Sequence, residues 1–376
     1  MLLVACGSSG GGGTATASAS LDATTPSPTA TATATPTAAP TPTPPYRPSL
    51  LVWVVTSGGS PQVRTVPIGG GAAHVLTTLP SDATVLGSGF GKLAVVYADH
   101  GIRVIDLAGG GVTTYTTGPA QALFGGAFSP DGRRLAYVTA ASPSAGSLEV
   151  VDLVTKATTT LRTFTTNTYD VPKRWTSDAL AGTAIVGFAD AGPQAVVRLD
   201  PASGVRIGSS DVSGSGNVAL SPDGVHAAVS RHNPLGDDGD SAGGPGPQQP
   251  FNTLRSLTIG SPPADVFQEP HHQVVPLALS ASGDMICYSD DPAAGGFAGA
   301  TMSTTLGLFL RSGGTSTQLA HWDGSRWDAA VFVDSAVALA NHTSSAEKLM
   351  LVSAGGAPST LDTVAGGDQP IFVGTA

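Results

Sequence analysis

The residues able to do chemistry are few and widely separated. Two Arg-Trp pairs, Arg174-Trp175 and Arg326-Trp327, recur in distant stretches, the first preceded by Lys173, and His271 stands beside His272 between them. An indole offers flat apolar area and a guanidinium offers a bidentate fork. Arg174, Trp175, His271, Arg326 and Trp327 are therefore the candidate contacts for a sugar, a peptide or an anionic group. The bland alternative is that the tryptophans pack between sheets while the arginines cap carbonyls. Adjacent histidines point to opposite sides of a strand, so His271 and His272 alone do not make a metal site. Asp237, Asp238 and Asp240 lie among glycines and could present hard oxygen ligands to calcium, but the spaced acids and closing Glu of a calcium loop are absent. A solvated acidic loop is expected there, with no metal and no cofactor.

Other patterns carry less. Gly7-Ser8-Ser9-Gly10-Gly11 satisfies the nucleophile-elbow spacing, yet the composition around it cannot hold a strained strand-to-helix turn. Gly87-Ser88-Gly89-Phe90-Gly91-Lys92 lacks the Ser or Thr that follows Lys in a phosphate-binding loop and runs into a strand, so it is read as a turn. No catalytic residue is assigned. Cys287 sits in the apolar run Met285-Ile286-Cys287-Tyr288 and is expected to be a buried, unpaired thiol.

The elements that must position these groups follow from composition. Charged residues are 12% of the chain, while Gly 49 and Pro 29 together fill about a fifth of it, which excludes long helices and coiled coils. The net charge is −10 with no basic stripe, which disfavours a nucleic-acid partner. Asp22 and Arg47 cancel within residues 1–48, so the whole negative charge belongs to residues 49–376. Residues 7–48 are Gly-rich and then Ala/Thr/Pro-rich, a composition that forms no core and is expected to be a disordered tether. Ahead of it, Leu3-Val4-Ala5-Cys6 resembles the lipobox of bacterial lipoproteins. That resemblance implies a truncated signal over 1–6, a lipid on Cys6, and attachment to the cell membrane or envelope outside the cytoplasm.

From residue 50 the chain repeats. FSPDGRRLAYV at 128–138, LSPDGVHAAVS at 220–230 and LSASGDMICYS at 279–289 align as strand, tight turn and second strand. Pro presets φ, Asp bonds its own backbone and Gly accepts positive φ, so Asp131 and Asp223 are read as turn residues rather than site residues. The strand after the turn serves as a ruler and recurs at 50–56, 92–98, 134–140, 184–190, 226–232, 284–290 and 336–342. Most copies lie about 42 to 50 residues apart, the period of a four-stranded propeller blade. The first copy has no leading strand, and Gln369-Pro370-Ile371-Phe372-Val373 is left over at the end. These defects cancel if the last strand completes the first blade. The expectation is an all-β, seven-bladed β-propeller of four-stranded blades over 49–376. With its SPDG turns this region resembles the TolB-type propellers, a WD-repeat-like superfamily. It departs from TolB in lacking the α/β domain that precedes the propeller there, so TolB's partners are not carried over.

Loop length predicts which face binds. The connections running from His232 to Phe251 and from Asp291 to Thr304 are long, and both join the second strand of a blade to its third. The same face receives the chain as it comes into each blade, so the Arg-Trp pairs are expected at that mouth of the central channel. The expected function is a monomeric, membrane-anchored binding or scaffold module that holds an envelope protein or carbohydrate on its loop-rich face. The alternative is a lactonase-, lyase- or glycosidase-like enzyme using the channel, where Asp178 and Asp328 are the acids nearest otherwise apolar inner strands.

Overall fold

In the computed structural model the described residues are 48–115, 122–186, 193–213, 215–231, 252–268, 273–290, 303–322, 325–333, 336–343, 345–353, 358–365 and 368–375. Cys6, Asp237, Asp238, Asp240 and His271 lie outside them. Among the described residues the Val-, Ala- and Thr-rich runs become strands, which form seven four-stranded antiparallel sheets.

From the channel outward, the first blade is β28 (Asp368–Thr375), β1 (Leu50–Ser57), β2 (Ser60–Pro67) and β3 (His74–Thr78). The second is β4 (Thr84–Gly89), β5 (Lys92–Val96), β6 (Ile102–Asp106) and β7 (Val112–Tyr115), and the third is β8 (Ala122–Phe128), β9 (Arg134–Ser142), β10 (Ala145–Asp152) and β11 (Thr158–Phe164). The fourth is β12 (Thr168–Trp175), β13 (Leu180–Val186), β14 (Ala195–Leu199) and β15 (Arg206–Asp211). The fifth is β16 (Ser215–Leu220), β17 (His226–Arg231), β18 (Thr253–Thr258) and β19 (Ala264–Gln268). The sixth is β20 (Gln273–Leu279), β21 (Met285–Asp290), β22 (Ser303–Ser312) and β23 (Thr315–Trp322), and the seventh is β24 (Arg326–Val333), β25 (Ala336–His342), β26 (Ala346–Ser353) and β27 (Ser359–Ala365). The last strand of the chain thus completes the first blade, as the unmatched ends of the sequence require.

Each blade has two apolar faces, so its inner strands read as continuous apolar runs: Leu51 through Val55 are all fully buried. Those faces meet only across blade boundaries. Among the described residues seven hydrophobic clusters form, and each draws its residues from two adjacent blades. The closing seam joins Leu51, Trp53 and Val373 of the first blade to Val331, Ala338 and Leu349 of the seventh. Polar bonds cross the same seam. Trp53 Nε1 donates to Asp362 Oδ2 at 3.1 Å, and Arg64 donates to both Asp362 oxygens at 2.7 and 3.0 Å.

The SPDG turn is held by its serine and aspartate. Ser129 Oγ donates to Asp131 Oδ1 and accepts from the Arg134 amide, while Asp131 Oδ1 accepts from the Arg133 amide. Ser221 and Asp223 repeat the arrangement. The fourth blade uses a disguised version, Thr176-Ser177-Asp178-Ala179, in which Thr176 Oγ1 donates to Asp178 Oδ1 at 2.7 Å. Because that turn has neither Pro nor Gly, the ruler strand placed at 184–190 starts too late; the strand is Leu180–Val186. The segment read as a turn at 87–92 is also corrected. Gly87, Ser88 and Gly89 finish β4, and only Phe90 and Gly91 turn, both at positive φ.

Gly87 is needed where two innermost strands nearly touch. A Cβ there would sit 2.3 Å from the Gly126 carbonyl oxygen, whereas one on Gly109, in an outer turn, would meet nothing within 4 Å. Gly87→Ala is expected to destabilise by about 1–3 kcal/mol through overpacking, and Gly109→Ala to change stability by less than about 0.5 kcal/mol, in urea denaturation.

Candidate functional site

All seven innermost strands shift register against their second strands, so each carries a β-bulge. In β12 the pairing steps from Pro172↔Gly182 to Arg174↔Ala181, leaving Lys173 without a partner residue. A bulge breaks the alternation of side chains, so two consecutive residues can turn to one side. Lys173 and Arg174 do so: both line a cavity of about 360 Å³ in the central channel.

The second half of every innermost strand contributes to that cavity. Leu86, Leu277, Phe332 and Phe372 supply apolar surface, Gly125, Gly126 and Gly374 keep it open, and Ser88 and Thr375 add hydroxyls. Lys173 and Arg174 are its only charged lining residues among those described. Among the described residues six of the seven adjacent pairs of innermost strands are in extended contact, and β12 touches β16 least.

Lys173 is exposed to solvent, but that solvent is a narrow channel walled by other blades. Burial within the ring pulls the Lys173 ammonium below its ordinary range, and the adjacent guanidinium adds repulsion. Burial also lowers Arg174. Neither has a hydrogen bond or ion pair among the described residues. Other arginines behave differently. Arg162 and Arg206 clasp the buried Asp170 across the seam of the third and fourth blades, at 2.7 Å and at 2.5 and 2.8 Å. Arg198 bonds Asp178 at 2.7 Å, and Arg255 pairs with Asp265 at 2.7 Å.

The remaining sequence candidates are scattered. Innermost strands run in one direction, so Trp175, which ends β12, and Trp327, which follows Arg326 at the start of β24, lie near opposite rims. The Arg-Trp pairs were expected at one mouth of the channel; the structure separates them because 168–175 is a complete strand rather than a connection. Trp175 is buried between the third and fourth blades with Arg134 stacked 4.8 Å from its ring, and Trp327 is buried between the sixth and seventh. Arg326 is exposed at the loop-rich rim. Asp178 serves its turn and Arg198, and the backbone of Asp328 pairs with Ala340 beside a bulge. Cys287 is buried between the fifth and sixth blades.

The cavity therefore belongs to the rim of the first-to-second-strand turns, including Pro222, and not to the rim of the long connections. Those connections do join second to third strands, from Arg231 to Thr253 and from Asp290 to Ser303, and a third runs from Val186 to Ala195. Lys173 is the contributor that the Arg-Trp pattern overlooked. Its signal was available: β12 is the only innermost strand with Lys and Arg side by side in its second half.

Among solved structures, Pyrococcus horikoshii acylaminoacyl peptidase is similar with a TM-score of 0.52 and 13% identity, over 84% of this chain and 51% of that one. The chain thus spans about half of that protein. Oligogalacturonate lyase from Vibrio parahaemolyticus has a TM-score of 0.48 and 11% identity, over 84% and 90% of the two chains. TolB from Acinetobacter baumannii has 0.42 and 16%, over 86% and 66%. At these identities the likeness shows the propeller fold alone. No family model and no curated protein sequence matches the chain.

Two like charges side by side without a counter-ion work against folding. Lys173→Met is expected to raise Tm by roughly 1–2 °C at neutral pH and low salt. Since the folded pKa of Lys173 lies below its ordinary 10.5, the lysine opposes folding below that depressed value, and the cost falls away as pH rises from it towards 10.5. The advantage of Lys173→Met should shrink as pH approaches 10.5; calorimetry across that range checks both.

Proposed function

We propose that the chain is a bacterial, membrane-anchored binding module that works outside the cytoplasm, with the propeller presented on a tether held by a lipid on Cys6. The observation that carries the binding role is the channel lining. General acid–base catalysis most often uses imidazoles or carboxylates, and none lines the cavity among the described residues. The described lining offers hydroxyls, apolar walls and one cation pair, which suits holding a ligand. No group of three or more His, Cys, Asp or Glu stands together among the described residues. The loop-rich face offers a separate surface for an envelope protein or carbohydrate partner, so the module can engage two things at opposite rims.

Leu3-Val4-Ala5-Cys6 and the Gly- and Pro-rich stretch after it support the anchor. Expressed in a bacterium with its export signal intact, the protein should fractionate with membranes and carry a diacylglyceryl group on Cys6 by mass analysis. Globomycin should leave the uncleaved precursor, and Cys6→Ser should leave an uncleaved product without the diacylglyceryl mass. An unmodified, soluble wild-type product would remove the anchor while leaving the propeller reading in place.

A further inference from the structure

We infer that the Lys173–Arg174 pair makes the central cavity a binding site for a small organic oxyanion, a carboxylate or phosphate ester whose uncharged body lies against Leu277, Phe332 and Phe372. This site deepens the proposed binding role and rests on it. Its first support comes from comparing blades within the chain. Aligned by their bulges, the position of Lys173 is Leu86 in the second blade, Leu277 in the sixth, Ala329 in the seventh and Ile371 in the first. The next position, Arg174, corresponds to Gly87, Ala278, Ala330 and Phe372. The ring therefore closes with uncharged residues at these points, and the two cations of the fourth blade are not required by the fold.

Geometry and charge supply the rest. The bulge turns both cations into the cavity, and neither cation has a carboxylate partner among the described residues. A cavity of about 360 Å³ falls within the range of small-molecule pockets. Arg can grip an oxyanion through two parallel N–H bonds while Lys adds a point charge. The chain carries −10 overall, so this is a positive spot within an acidic molecule and favours small anions over extended polyanions, which the outer charge repels.

The test is thermal denaturation of the full-length chain at low ionic strength with inorganic phosphate, succinate or glucose added in turn. Phosphate and succinate represent the two oxyanion chemistries, and glucose is the neutral control. Wild type should gain roughly 3 °C with at least one oxyanion and nothing with glucose, and the gain should fade as chloride is raised. The K173M/R174M variant, with uncharged side chains as in other blades, should remain folded and show no gain. Lys173→Leu, which copies the sixth blade, serves if the double variant is poorly folded and should lose most of it. An equal gain in these variants would overturn the inference by placing the anion elsewhere. A gain with glucose alone would also overturn it, while leaving a binding cavity. The absence of any gain in wild type would overturn the oxyanion site, and capture of a partner from an envelope fraction would then show whether the binding reading survives.

Discussion

A blade with two apolar faces cannot be stable alone, and that constraint governs the whole molecule. Every hydrophobic cluster lies between two blades, so each sheet is stabilised by its neighbours on both sides. A linear stack would leave one apolar face bare at each end. Closing the ring removes those ends, and lending β28 to the first blade places the first and last segments of the propeller in one hydrogen-bonded sheet. Buried Trp53 and Val373 and the Arg64–Asp362–Trp53 bonds concentrate at the seam where the ring shuts.

Ring closure also dictates the channel. Seven innermost strands converge on one axis, and where they crowd most, Gly87 against Gly126, no side chain fits. Small residues at the axis leave a cavity, and the bulges decide which side chains reach it. In most blades those are leucine, alanine or glycine. Among the described lining residues the fourth blade alone presents charge, and it presents two cations without an acid. Elsewhere several arginines of this acidic chain clasp aspartates across or within blades, Arg162 and Arg206 on Asp170 being the clearest case. The contrast between satisfied arginines at the seams and an unsatisfied pair on the axis gives the channel its chemical character.

Much of the architecture was legible in the sequence because a blade is a local object. Its turn residues sit beside its strands, and two-faced burial writes each central strand as an unbroken apolar run such as Leu51–Val55. The leftover strand at 369–373 signalled closure for the same reason. The fourth blade was misplaced because Thr176 and Asp178 perform the work of Ser and Asp in a turn without Pro or Gly. The site was less legible. Side-chain direction within an innermost strand depends on the bulge, and a bulge is a relation between two strands that residue types alone do not record. Arg174 and Lys173 line the channel, while the tryptophan beside them packs between the third and fourth blades. The assignment of both Arg-Trp pairs to one rim failed because Arg326 begins its strand whereas Arg174 nearly ends one.

The central claim is that Lys173 stands in the channel as a solvent-reached but crowded cation with no counter-ion of its own among the described residues. The chain has few lysines, so carbon NMR of Cε-labelled lysine, assigned by the loss of one signal in Lys173→Met, reads that group directly. The account predicts that the Lys173 signal titrates below the ordinary lysine range and shifts on addition of phosphate at low salt, while the signals of Lys92, Lys156 and Lys348 ignore phosphate. A Lys173 signal that titrates in the ordinary range and ignores phosphate would contradict it.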